Sequence, residues 1–190
     1  MDARLFDTTE CGGACLRLPP ARDSNVTKTA PPSSPPPDSL NNPLWQFSVD
    51  FYRHDDVQQF LLDCQDYKGA DVCLMLWASY ATACGRQLSE ESWRVADRGL
   101  APRRRMIMSV RRLRRWLGRM RPRTQGLYES CKRYELKLEQ LQLAALWRLY
   151  SESWPEDRPA LELAGQQYGL LQKEQARWAG LIESYKANLT

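Results

Sequence analysis

Hydrophobic residues along this chain recur at helical spacing, and no segment alternates as a strand would. Order begins at Asn42-Pro43, where a capping side chain precedes a proline at the first helical position, and it runs into LWQFSVDFYRH. Asp55 and Asp56 offer a cap for a second helix with one apolar face, which ends at Gly69. The next run, VCLMLWASYATAC, is apolar on nearly every side, as is typical of a helix enclosed by others.

The carboxyl half carries longer stripes. Ser89 caps a short predicted helix that extends through Asp97. Two heptad-like stripes follow the arginine-rich region, and they indicate two long helices joined by the turn SWPEDRP. Helices joined by so short a turn fold back as an antiparallel hairpin. The first stripe consists of Leu127, Cys131, Tyr134, Leu138, Leu141 and Ala145, and the second steps by three and four from Leu161 to Leu189.

Residues 1–41 differ from the rest in composition. Seven of the twelve prolines lie in this segment, among them PPSSPPP, and no apolar period is sustained there. Such a segment buries too little surface to offset the entropy lost on ordering. The sequence therefore predicts a disordered Pro/Ser-rich tail over 1–41, followed by a single-domain, all-α helical bundle over 42–190 that ends in the long antiparallel hairpin.

Charge changes this picture, because it is distributed unevenly. The net charge is +4, yet the segment from Arg98 to Arg123 holds eleven arginines and no acid. The remainder has 27 − 11 = 16 basic residues against 23 acidic ones. A concentrated basic band predicts either an acidic or polyanionic partner, or an acidic face of the same protein beneath it.

A helix over 104–120 separates this band into two faces. One stripe is apolar, and we expect it to pack on the bundle, so that the arginines on the opposite face point to solvent. The apolar stripe consists of Met106, Val110, Leu113, Leu117 and Met120; the basic face consists of Arg111, Arg112, Arg115 and Arg119, with Trp116 at its flank.

A displayed arginine helix over 103–123 favours a polyanion as partner, and nucleic acid is the partner that we favour. Arginine contacts phosphate or carboxylate through two N–H groups and stacks on bases, as tryptophan does. The alternatives are an acidic protein bound through the same helix, or a structural role in which Arg98–Arg105 pair with the chain's own acids. An anionic membrane surface fits less well. The predicted binding residues are Arg103, Arg104, Arg105, Arg111, Arg112, Arg115, Trp116 and Arg119.

No catalytic motif accompanies these features, and we expect a non-enzymatic protein with no cofactor and no metal. His54-Asp55-Asp56 is the most reactive trio, but we interpret it as a helix start beside an exposed histidine. Asp63, Asp66 and Asp71 read as a solvated face rather than a magnesium site. The CGGAC motif at Cys11 and Cys15 lacks two further zinc ligands nearby.

The amino-terminal sequence and the length of the apolar runs predict a cytoplasmic location. The amino terminus, MDARLFDTTECGG, has acids where a signal peptide is basic, and the most apolar run is too short to cross a bilayer. Six cysteines in such a chain are expected to be reduced, and we interpret the four on helical stretches as buried apolar side chains.

The ordered part resembles a family of short, uncharacterised helical proteins of gammaproteobacteria. The resemblance rests on Asn42-Pro43-Leu44-Trp45 with Phe47-Ser48, and on Gly69-Ala70-Asp71-Val72 running into LML. It is strongest over residues 42–85, although Cys73 stands where the family would lead us to expect asparagine. The resemblance implies a small all-α cytoplasmic protein and implies no activity, cofactor or catalytic residue.

Overall fold

The computed structural model describes residues 39–151 and 159–189, and within these ranges it contains seven α-helices and no β-strand. The all-α prediction is confirmed. Most of the segment predicted to be a disordered tail, including Cys11 and Cys15, lies outside the described residues, as do the residues of the turn SWPEDRP before Pro159. The helices are α1 (Pro43–Tyr52), α2 (Asp55–Lys68), α3 (Val72–Ala83), α4 (Glu90–Gly118), α5 (Gln125–Ser151), α6 (Ala160–Gln167) and α7 (Gln172–Ala187).

The amino-terminal helices begin where the sequence predicts. The Asn42 side chain accepts a hydrogen bond of 2.9 Å from the Trp45 N–H, and Pro43 occupies the first turn of α1. Asp71, which was predicted to lie on a solvated face, is instead 8% exposed and caps α3 by accepting from the N–H groups of Cys73 and Leu74. The predicted cap of α2 was wrong by one position: His54 is the N-cap residue, and the two aspartates lie in the first turn, where they favour the helix dipole.

Helix α3 is the centre of the bundle, and the other helices pack around it. Eleven of its twelve residues are buried, as its apolar pattern predicts. Helices α1, α5, α6 and α7 contact it, and Trp178 of α7 donates a buried hydrogen bond of 2.9 Å to the Ser79 hydroxyl. The rings of Phe47, Tyr80 and Tyr185 lie edge to face at 5.3 Å between α1, α3 and α7. One continuous core therefore draws buried residues from all seven helices.

Helix α4 is longer than predicted. It runs unbroken through Pro102, joining the short helix predicted after Ser89 to the arginine-rich helix. A proline within a helix removes one backbone hydrogen bond, and the residue is exposed here. Packing on either side carries the helix through this position, because Leu100 is buried in the core and Ile107 is buried against α5.

The long antiparallel hairpin is present, but it is formed by α4 and α5 rather than by α5 and the carboxyl-terminal segment. The segment 161–189, predicted as one long helix, is divided into α6 and α7. The break lies at Gly169, whose φ of 60° is left-handed and ends a helical turn. The shorter α6 packs on α3 instead of along α5.

Candidate functional site on the α4–α5 hairpin

The distal part of the hairpin, residues 103–140, extends past the core, and we call it the arm. No fully buried hydrophobic residue of the main core lies between Leu100 and Leu143. Within the arm, Ile107, Leu117 and Leu138 are buried, although they lie outside the main core. The arm thus folds by packing α4 against α5, with α2 beside it.

Arginines form the inward face of α4, contrary to the prediction for Arg111. The Arg111 Nε lies 2.7 Å from Glu135, and its Nη2 lies 2.8 Å from Glu139. The Arg114 Nε lies 2.6 Å from the second oxygen of Glu135. Both carboxylates are buried on α5, with Glu135 4% and Glu139 1% exposed. A network of charge-assisted hydrogen bonds therefore sets the side of α4 that faces α5.

Arg104 is also committed within the protein. Its guanidinium lies 2.6 Å from Asp71 and 2.7 Å from Asp97, and the same Asp71 oxygen accepts from Gln142 at 2.8 Å. One carboxylate thus caps α3, pairs with α4 and contacts α5. The structural interpretation, in which Arg98–Arg105 pair with internal acids, holds for Arg104.

Burial and charge oppose each other at Glu139. Burial raises the pKa of Glu139 to about 8, and the nearby guanidinium of Arg111 works against this shift. Burial also acts to lower the pKa of Arg111, but the carboxylates of Glu139 and Glu135 hold it above its ordinary value. Arg111 is therefore always charged, while Glu139 can carry a proton near neutral pH.

The outward face of α4 is apolar as well as basic, because only part of the apolar stripe packs as predicted. Leu117 is buried and Val110 is half-buried. Four large side chains of this region are instead between 37% and 53% exposed, namely Met106, Leu113, Trp116 and Met120. Met106, Leu113 and Met120 are exposed because the ion pairs with α5 rotate α4 by part of a turn from the orientation that hydrophobicity alone predicts.

Basic and apolar side chains alternate on this face in register. The dipeptides Arg105-Met106, Arg112-Leu113 and Arg119-Met120 recur every seven residues, which is close to two helical turns. An arginine stripe therefore runs beside an apolar stripe along the arm. All six residues of these dipeptides are exposed.

The remaining predicted binding residues divide between the two faces. Arg103 is half-buried and donates to the Leu141 carbonyl at 3.2 Å. Arg115 is exposed and lies 3.8 Å from Asp66, a loose surface pair. Trp116 is exposed beside it.

Helix α5 adds two residues to the outward face that the sequence analysis assigned to a packed stripe. Leu127 is 63% exposed and Tyr134 is 52% exposed, and the Tyr134 hydroxyl lies 3.8 Å from the Met106 sulfur. Their spacing on a heptad stripe was visible in the sequence, whereas their exposure depends on how α4 and α5 pack against each other.

The inward network uses residues that the sequence analysis did not select. Glu135 and Glu139 are four residues apart on α5 and meet arginines three residues apart on α4. That matched spacing was the available signal. Gln65 of α2 completes the network by accepting from Arg111 at 2.6 Å.

The other candidate residues from the sequence, a histidine, several aspartates and the cysteines, form no reactive cluster among the described residues. His54, Asp55 and Asp56 are all exposed, and Asp63 accepts from Gln59 on its own helix. Over residues 39–151 and 159–189, no group of three histidine, cysteine or acidic side chains is placed to hold a metal ion. Cys64, Cys73 and Cys84 are buried free thiols, and burial raises the pKa of each. Among the described helices, none has the length and apolar character needed to span a bilayer.

These features define an all-helical protein with a projecting arm that is basic and apolar outside and ion-paired inside. A family model with the description "Protein of unknown function (DUF2390)" matches residues 43–146, more than half of the chain, and the chain belongs to this family. The resemblance noted from the sequence is thereby confirmed. No curated protein and no solved structure matches the chain.

Proposed function

We propose that this protein is a non-catalytic docking protein whose arm binds an acidic, amphipathic protein partner. The observation that supports the proposal best is the repeat of exposed Arg-Met and Arg-Leu dipeptides along α4. We call the exposed apolar residues the docking face: Met106, Leu113, Trp116, Met120, Leu127 and Tyr134.

The docking face is a long apolar surface on a protein that already has a complete core. Large exposed apolar side chains grouped in this way mark protein interaction sites, where methionine, aromatic residues and arginine are enriched. Covering it would remove thioether, leucine and ring surface from water, which is the main source of affinity in such interfaces.

The charge around the docking face determines which protein fits. Arg105, Arg112 and Arg119 flank it on α4, and Lys137 and Arg133 are exposed on α5. A second copy of this chain would bring these like charges together, and repulsion of that kind disfavours a dimer through this face. An acidic partner gains ion pairs instead, and these also accelerate its association.

Nucleic acid is the second candidate, supported by the exposure of Trp116 between Arg112, Arg115 and Arg119. An indole among guanidiniums can stack on a base while the arginines contact phosphates. Phosphate contacts would leave Met106, Leu113 and Tyr134 uncovered, however, since interfaces with nucleic acids are polar. The protein partner uses both stripes and is therefore the better fit.

Two variants separate these functions. The apolar variant carries Met106→Gln, Leu113→Gln and Met120→Gln; the basic variant carries Arg105→Gln, Arg112→Gln and Arg119→Gln. Binding is measured by fluorescence anisotropy with a labelled helical peptide of about 20 residues, with leucines on one face and glutamates on the other, and with a labelled single-stranded DNA of similar length. We expect the peptide to bind the wild-type protein more tightly than the DNA does. Each variant should lower the affinity for the peptide by about tenfold or more.

Tighter binding of DNA would overturn the docking proposal. It would do so most clearly if the apolar variant bound DNA normally while the basic variant flattened the plot of log affinity against log salt by about two units. The charge-matched control is Arg53→Gln, Lys173→Gln and Lys186→Gln, which removes three positive charges outside the arm.

A further inference from the structure

A cleft of about 300 Å³ lies on the other side of α4 from the docking face, between the arm and the α2–α3 connection. Its volume is at the lower end of the range for small-molecule sites. Apolar side chains line part of its wall, namely Val72, Cys73, Ile107 and Met108. The remainder is polar and comes from α2, α4, α5 and the loop that precedes α3.

The arginines that line this cleft differ in how closely they are paired with carboxylates. Arg104 and Arg111 line it with guanidiniums already held by buried carboxylates. Arg112 and Arg115 line it with exposed guanidiniums. Among the described residues Arg115 has one ion pair, the loose contact of 3.8 Å to Asp66, a carboxylate that also lines the cleft. The exposed end of the cleft therefore has two arginines available for an anionic group.

The buried end has the opposite character. Glu139 and Gln142 line the cleft and are each 1% exposed. One side-chain oxygen of each, Glu139 Oε2 and Gln142 Oε1, is shielded from solvent and has no hydrogen-bond partner among the described residues. Buried polar atoms are rarely left in this state, so these two oxygens on neighbouring turns of α5 require a donor, either the proton that Glu139 can carry near neutral pH or the cationic group of a ligand.

We propose that the cleft binds a small zwitterion. Its ammonium or guanidinium group donates hydrogen bonds to Glu139 and Gln142, and its carboxylate or phosphate group contacts Arg112 and Arg115. The apolar wall packs against the short hydrocarbon segment between the two charged groups. This inference goes beyond the docking function and does not depend on it.

Protonation gives the proposal a second consequence. Glu139 is faced by Tyr52 of α1, by Asp71 and Cys73 at the start of α3, by Arg111 of α4 and by Glu135 on its own helix. Burial raises its pKa to about 8. A ligand cation beside it favours the ionised carboxylate, so binding at pH 7 releases a proton.

The test uses γ-aminobutyrate as probe and compares it with butyrate and n-butylammonium, each of which has a single charged end. Isothermal titration calorimetry on the full chain should give γ-aminobutyrate at least about tenfold higher affinity than either analogue, because two charge-assisted contacts replace one. Phosphoethanolamine in a parallel titration shows whether a phosphate is preferred to a carboxylate. Titration in two buffers of different ionisation enthalpy measures the released proton.

Two variants identify the ends of the site. The double variant Arg112→Gln and Arg115→Gln should bind γ-aminobutyrate only as tightly as it binds n-butylammonium. The variant Glu139→Gln should bind γ-aminobutyrate only as tightly as it binds butyrate, and it should release no proton on binding. The matched control, Arg105→Gln with Arg119→Gln, removes two arginines of α4 outside the cleft and should leave binding unchanged. Equal affinity for all three compounds would overturn the proposal. So would the absence of saturable binding at about 10 mM, which would mean that the cleft holds water only.

Discussion

The bundle around α3 and the arm solve the same problem, the burial of one helix against another, by different means. Around α3 the buried side chains are hydrophobic, and aromatic rings from α1, α3 and α7 meet edge to face. In the arm the closest contacts between α4 and α5 are ion pairs, with Arg111 and Arg114 around Glu135. Hydrophobic contact accepts many orientations of neighbouring side chains, whereas these bonds accept few.

The difference explains why one region exposes large apolar residues and the other does not. A helix held by hydrophobic contact turns its most apolar face inward. Helix α4 turns Arg114 inward and leaves Leu113 and Met120 outside, because burying its charged groups requires the carboxylates of α5. The ion pairs thus determine the docking face indirectly, by fixing the rotation of α4.

The largest effect that tests this comparison is expected at Glu135. Glu135→Leu removes the carboxylate that both Arg111 and Arg114 contact, and leaving buried charge poorly compensated costs about 3–5 kcal/mol of unfolding free energy. Urea denaturation followed by circular dichroism measures the loss.

A double variant is the control for that prediction. Arg114→Met combined with Glu135→Leu removes one charge of each sign, while Arg111 retains Glu139. We expect the double variant to be more stable than Glu135→Leu alone. If the double variant is the less stable of the two, the pairing does not determine the packing of the arm.

The next comparison uses one leucine from each region. Leu76 is fully buried on α3, so Leu76→Ala should cost about 2–5 kcal/mol through lost burial and a residual cavity. Leu127 is 63% exposed on the arm, and Leu127→Ala should change stability by less than about 0.5 kcal/mol. Similar losses in the two denaturation curves would mean that Leu127 is covered by packing within the chain.

Helix starts and buried helices could be predicted from the sequence where one physical effect dominates. The start of α1 was predicted because Asn42 accepts a hydrogen bond from the N–H of Trp45, a local interaction. The burial of α3 was predicted because apolar residues surround it on every side. Neither inference needed the position of a distant residue.

Side-chain burial and helix breaks could not be predicted where they depend on residues far apart in sequence or on one backbone conformation. Arg111 pairs with carboxylates 24 and 28 residues later, and the apolar period of α4 gives no sign of that contact. The division of α6 from α7 depends on Gly169 adopting a left-handed conformation, which the continuous stripe on either side conceals. The cleft also could not be predicted, since Glu139 and Arg115 meet there only after α2, α4 and α5 pack.

The last prediction concerns pH and separates burial from ion pairing at Glu139. Burial raises the pKa of Glu139 from 4.5 to about 8, so between these values the folded protein holds a proton that the unfolded chain has released. The contribution of this group to stability is therefore complete below about pH 4.5 and is lost as pH rises towards 8. Glu139→Gln cannot ionise, and its stability should not fall in this way.

The measurement is the difference in Tm between wild type and Glu139→Gln at several pH values from about 5 to 8, where the shift in the group's pKa has its effect. We expect the difference to move steadily against the wild type as pH rises. Glu183→Gln, which alters an exposed carboxylate on α7, is the control and should give a difference that is nearly constant. A wild type that gains on Glu139→Gln as pH rises would show the opposite: that Arg111, 2.8 Å away, outweighs burial and keeps Glu139 ionised, so that the interior of the arm is charged throughout.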